Sequence, residues 1–151
     1  MVVISDSNII FSCLYAPEGV IAAILTAKKQ KIQFIAPLFL LEEVEEHLPT
    51  IIEKTHRTKK EVLSLLKKFT KNITFYKESD ISIQNIRKAE EIVSTIDTED
   101  VPFVELHLQT GHKIWTLDKI LSNGLKEKGY DICITTSEVK ERLYKKRNSI
   151  C

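Results

Sequence analysis

Two aspartates close apolar runs in this chain: Asp6 ends VVISD and Asp118 ends KIWTLD. An ionised carboxylate is costly to bury alone. An acid at the end of a buried strand is therefore hydrogen-bonded, exposed at a sheet rim, or holding a cation. If the two strands are neighbours in a parallel sheet, both acids project from its carboxyl edge, where open α/β sheets bind ligands at the point where strand order reverses. Glu43, within a helical run, and Asp97 or Asp100, at the start of another, are candidates to join them. Three or four carboxylates at one edge repel one another unless a divalent cation sits among them, and oxygen-only ligation with positions left for water suits Mg2+ or Mn2+. Phosphodiester chemistry is the usual use of such a centre, because a cation can activate water and neutralise charge developing on a phosphate. Helix geometry does not choose between Glu43 and Glu45: at about 100° per residue both border the apolar stripe, whereas Glu42 and Glu46 face away.

The elements that must position these acids alternate between strand and helix. Val2 to Asp6 reads as a strand, followed by FSCLYAPEG as a loop and VIAAILTAKK as a short helix. KIQFIAP is a strand stopped by Pro37, and LFLLEEVEEHLPTIIEKT one long helix kinked at Pro49. Thr58 with Glu61 forms a capping box ahead of EVLSLLKKF, NITFYK is a weaker strand, and IQNIRKAEEIVST is an amphipathic helix. The helix VPFVELHLQT then turns at Thr110-Gly111 into a short buried strand, Lys113 to Leu117, whose Trp115 reads as core. A helix ILSNGLKEKG, a strand YDICIT and a last helix from about Ser137, with Thr135 and Glu138 as its capping box, complete the chain. This alternation predicts a three-layer α/β/α fold with a central parallel sheet of four to five strands, residues 1–151 forming one domain with disorder confined to the last few residues.

Composition narrows the class. A chain of 151 residues, 43% hydrophobic and 28% charged, can build an ordinary core, and no apolar run reaches the ~18 residues of a membrane span. Cys13, Cys133 and Cys151 are odd in number and far apart, which argues against a disulfide framework and a thiolate zinc site, so a reducing cytoplasm is the expected location. The net charge of +1 conceals an acidic run at Glu42, Glu43, Glu45 and Glu46. It also conceals a basic middle from Lys54 to Lys71 and a basic end that includes Lys140, Arg142, Lys145, Lys146 and Arg147. The 4 glycines form no phosphate-binding cluster, which excludes a P-loop or dinucleotide enzyme.

Four pieces in register, DSNIIFS from Asp6, APLFLLEEVEEH from Ala36, IDTEDVPFVELHL from Ile96 and IWTLD from Ile114, resemble the PIN domain family over nearly the whole chain. Carried over residue by residue, the resemblance implies an acidic, metal-holding site on Asp6, Glu43, Asp100 and Asp118, and so selects Glu43 over Glu45. It further implies a PIN-like fold and a Mg2+- or Mn2+-dependent endoribonuclease acting on single-stranded RNA. Many small members are toxins of toxin-antitoxin pairs of the VapC type, which adds an antitoxin protein to the expected partners. Asn8 matches the family's DxN and would order the loop holding Asp6, and Thr116 would turn its hydroxyl toward the metal. This chain departs from many members by carrying Glu105, His107 and Gln109 after the third acid, and Ile120 in place of a further acid near Asp118.

Asp97 is read as a supporting residue, and so is His47, one turn after Glu43; each also has an ordinary structural explanation, as a turn residue and a packed histidine. Asp100 doubles as a helix N-cap. Lys119 is a candidate contact for RNA phosphate. A homodimer is compatible with the chain, and no membrane partner is expected. The rival to the enzyme is a catalytically silent RNA-binding or scaffold protein of the same fold, and a receiver-type phosphoacceptor is a third reading, disfavoured because NITFYK ends on no aspartate.

Overall fold

A computed structural model describes residues 1–28 and 31–144. Lys145, Lys146 and Arg147 of the basic end, Cys151, and the tail expected to be disordered lie outside the described residues. The elements follow one another as β1 Val2–Ser5, α1 Ser7–Tyr15, α2 Val20–Leu25, β2 Gln33–Pro37, α3 Phe39–Glu46, α4 Leu48–Thr55, α5 Lys59–Thr70 and β3 Ile73–Tyr76. The second half comprises α6 Ile83–Val93, α7 Val101–Thr110, β4 Ile114–Trp115, α8 Lys119–Glu127, β5 Cys133–Ile134 and α9 Thr136–Tyr144. Single 3-10 turns at Glu78–Asp80 and Thr98–Asp100 precede α6 and α7.

The sheet is parallel throughout, in the order β3-β2-β1-β4-β5. The chain winds outward from β1 through β2 to β3, then crosses back to β4 and winds the other way. Right-handed crossovers running in opposite directions put their helices on opposite faces of a sheet. α1 accordingly packs with α2 and α5, while α7 lies over β1, β2 and β4 with α6 beside it. The result is the three-layer α/β/α architecture expected from the alternation. β1 pairs with β4, Ile4 with Ile114 and Ser5 with Trp115, so strand order reverses between the two strands that lead into Asp6 and Asp118.

The core explains the strand identities. Val3, Ile4, Phe34, Ile35, Ile114 and Trp115 are all buried, as a sheet covered on both faces requires. Trp115 is a core residue: its ring packs on Phe34 at 5.7 Å between centroids and its indole N–H donates to Thr136 Oγ1 at 3.0 Å. Both predicted capping boxes form, with Glu61 N donating to Thr58 Oγ1 at 3.1 Å and Glu138 N to Thr135 Oγ1 at 3.2 Å. Gly111 ends α7 in the left-handed region at φ 78°, where its N–H reaches His107 O at 2.7 Å.

Three expectations need correction. FSCLYAPEG is not a loop at its start: α1 runs through Tyr15, because Asp6 caps its first turn and Ile9, Ile10, Cys13 and Leu14 make a buried stripe. The long helix predicted through Pro49 is two, broken at His47 (φ −93°, ψ 3°), because Pro49 has no N–H to give and its ring excludes the carbonyl four residues back, so α4 starts afresh with proline in its first turn. The strand expected from Lys113 to Leu117 is only Ile114–Trp115. Truncating Trp115 to alanine should lower unfolding free energy by about 3–5 kcal/mol in urea titrations, the cost of an unfilled cavity beneath β4; a loss below about 1 kcal/mol would mean this ring is not central to the core.

Candidate metal centre

Asp6 leaves β1 and becomes the N-cap of α1. Its Oδ1 accepts from the Ser7 N–H at 2.7 Å, and its Oδ2 accepts from the Thr116 hydroxyl at 2.6 Å. That hydroxyl also accepts, from Asn8 Nδ2 at 3.2 Å and from the Asp118 N–H at 3.0 Å. Asn8 Oδ1 in turn accepts from the Leu117 N–H at 3.2 Å. Thr116 therefore joins the ends of β1 and β4 through one oxygen, and Asn8 clamps the two turns from the other side. Asp118 caps α8, with Oδ1 accepting from the N–H groups of Ile120 and Leu121 at 2.9 and 3.2 Å.

Asp100 stands at the N-cap of α7 but makes no capping bond, which removes the ordinary structural account of it. It is 9% exposed, and its Oδ2 is buried with no hydrogen-bond partner. Glu43 Oε1 is in the same condition. Glu43 is half-buried while Glu45 is exposed, so the structure separates the two glutamates that helix geometry left equivalent. Asp97, Asp100 and Asp118 bring carboxylate oxygens within 4.8 Å of one another. Asp97 thus contributes an oxygen to the cluster itself, beyond the supporting role that its place in the sequence suggests. Its other visible duty is a bond from the Glu99 N–H at 3.0 Å.

The electrostatics record this crowding. Burial first, then the carboxylates of Asp6, Asp97, Asp118 and Glu43, push the Asp100 pKa up to about 8. Burial also raises Glu43 to about 7, with the Ser7 hydroxyl pulling it partly back and Asp6, Glu99 and Glu46 adding to the rise. Asp6 is raised as well, by burial, against the lowering effect of its Thr116 and Ser7 bonds. Ser7 touches both Asp6 and the surroundings of Glu43; sequence reasoning passes over it, although it sits inside the Asp-Ser-Asn run. His47 is exposed, its ring on Phe11 at 5.4 Å between centroids, and among the described residues its side chain makes no hydrogen bond to Glu43. Lys119 is exposed beside Asp118 at the first position of α8.

A parallel α/β/α sheet that gathers carboxylates at the carboxyl ends of its two switch-point strands places them where open α/β sheets bind ligands. A family model of the PIN domain matches residues 3–144, and the chain belongs to the PIN domain family. PIN domains are generally nucleases and use divalent metal ions. No curated protein matches the chain. The donor set fits such an ion: it is all oxygen, and the orphaned atoms Glu43 Oε1 and Asp100 Oδ2 are buried acceptors of the kind that a cation satisfies.

Two outcomes follow from this geometry. Because Asp100 and Glu43 have folded-state pKa values above their ordinary 3.8 and 4.5, protonation favours the folded chain. That stability is fully present below about pH 4 and is lost as pH rises through 7 to 8. Urea unfolding in the presence of a chelator should show stability falling across this window, and Asp100→Asn should flatten the fall; a pH-independent profile would contradict the assigned crowding. Replacing Thr116 by valine keeps the shape but strands Asp6 Oδ2 and Asn8, which should cost about 1–3 kcal/mol in the same assay. A loss within about 0.5 kcal/mol would show that the shared hydroxyl does not couple the strands.

Proposed function

We propose that this protein is a divalent-cation-dependent endoribonuclease, working with Mg2+ or Mn2+, that hydrolyses phosphodiester bonds of single-stranded RNA. The observation that carries the reading is the convergence of acids from four separate chain segments on one sheet edge, with two of their buried oxygens left unpartnered. Asp97, Asp100 and Asp118 would hold the cation, together with Asp6 and Glu43. When bound, the cation would supply charge neutralisation on the phosphate and make a water molecule more acidic.

The remaining roles belong to the chain. The Thr116 and Ser7 bonds orient Asp6, and the cap bonds from the Ile120 and Leu121 N–H groups fix Oδ1 of Asp118. Glu43 Oε1, a buried acceptor without a partner, would take the proton of the attacking water. The water oxygen forms the new bond to phosphorus, the bond to the 3′ oxygen breaks, and that oxygen takes a proton from solvent, leaving a 5′-phosphate and a 3′-hydroxyl. With a net charge of only +1, RNA must be gripped locally, and the exposed lysines of α5, Lys59, Lys60, Lys67 and Lys68, offer such a patch. Kinship with small family members extends the proposal to a toxin restrained by an antitoxin protein, acting in the cytoplasm; among the described residues no helix is long and apolar enough to cross a membrane.

Purified protein with Mn2+ should cleave single-stranded RNA, and Asp6→Asn or Asp118→Asn should each slow cleavage by roughly 100-fold or more. Equal cleavage by all three proteins would reject the reading. RNA binding should weaken steeply as salt rises from about 50 to 200 mM, and a flat salt response would remove the lysine patch from the account.

A further inference from the structure

A cavity of about 230 Å³ opens at the ends of β2 and β3. Phe39 and Tyr76 provide aromatic walls, Glu42, Lys77 and Glu78 line it, and Glu105 of α7 reaches it from the helix. Glu105 is 8% exposed and its carboxylate makes no hydrogen bond among the described residues. Among the described residues only Glu43 and Asp100 hold fully buried oxygens without a partner, so the Glu105 oxygens are open to the cavity, where a ligand's donors can meet them. Burial, followed by the Glu78 and Glu90 carboxylates, raises its pKa to about 7. Glu105 takes no part in the cluster of Asp97, Asp100 and Asp118.

We propose that this cavity is a guanine-binding subsite for the nucleotide next to the cleaved bond, with Glu105 accepting from the N1–H and N2–H2 groups of the base. The inference rests on the endoribonuclease reading for its RNA source. Three observations favour guanine. The cavity opens on the same edge of the sheet as the centre: Pro37, which lines it, ends β2, the strand paired with the β1 that leads into Asp6. Guanine alone among the four bases presents two adjacent donors to a carboxylate; adenine and cytosine set an acceptor beside their amino group, and uracil flanks its single N–H with carbonyls. Lys77, whose ammonium makes no hydrogen bond among the described residues, offers a donor for the guanine O6. That same ammonium disfavours the chief competing guest, an arginine side chain, which has donors only. Phe39 and Tyr76 line the cavity, and aromatic side chains there can stack on a base.

The test is an amide NMR titration of the intact, chelator-treated protein with free guanosine, inosine and N-acetylarginine amide. Inosine keeps N1–H and O6 but lacks the N2 amino group. Guanosine should shift the resonances of Phe39, Tyr76 and Glu105, inosine should bind roughly 10-fold or more weakly, and Glu105→Gln should weaken guanosine by roughly 10- to 100-fold while leaving the spectrum of the fold intact. Equal binding of guanosine and inosine, guanosine binding that Glu105→Gln does not change, no guanosine shifts at all, or preferential binding of the arginine derivative would each overturn the proposal. Because no cation or cleavage is involved, a failure of the nuclease reading leaves this result standing, and a failure here leaves the nuclease reading untouched.

Discussion

Carboxylates brought together in a region of low dielectric repel one another, and the architecture of this chain is arranged around keeping them there. The Thr116 hydroxyl is the junction. It donates to Asp6 and accepts from Asn8 and from the backbone of Asp118, so the positions of two acids more than a hundred residues apart in sequence depend on a single oxygen. Parallel pairing of β1 with β4 supplies the coarse alignment and the hydroxyl supplies the fine one. The buried Trp115, one residue earlier, fixes where β4 lies against the core.

The acids themselves oppose folding when ionised. Asp100 and Glu43 keep buried oxygens without partners and are pushed toward neutrality at physiological pH. Strain of this kind concentrates at functional sites, where stability is exchanged for activity. A bound cation would relieve it, because a ligand that binds only the folded chain supplies the missing partners and adds RT ln(1 + [L]/Kd) to stability. Glu105 of α7 adds a further largely buried carboxylate, open to the cavity at the ends of β2 and β3.

Much of this arrangement is legible in the order of residues alone. Alternating strands and helices specify the parallel three-layer sheet, and strand-terminal aspartates in β1 and β4 specify that Asp6 and Asp118 share an edge. What the order of residues hides depends on side chains that serve two elements at once. Asp6 ends a strand and caps a helix, so the strand signal masks α1, and Pro49 signals a kink where the chain in fact restarts. The glutamates Glu43 and Glu45 are equivalent on a helical wheel and differ only once the layer above them is packed. Asp97 enters the carboxylate cluster through a 3-10 turn at Thr98–Asp100 that no periodicity announces.

The most direct test of the central claim, that distant acids form one cation-holding pocket, is an amide NMR titration with Mn2+, whose unpaired electrons broaden nearby resonances. The account predicts saturable broadening centred on Asp6, Asp97, Asp100 and Asp118 together, lost in Asp100→Asn. Broadening spread over surface acids such as Glu45 and Glu53, or absent from the ends of β1 and β4, would contradict it.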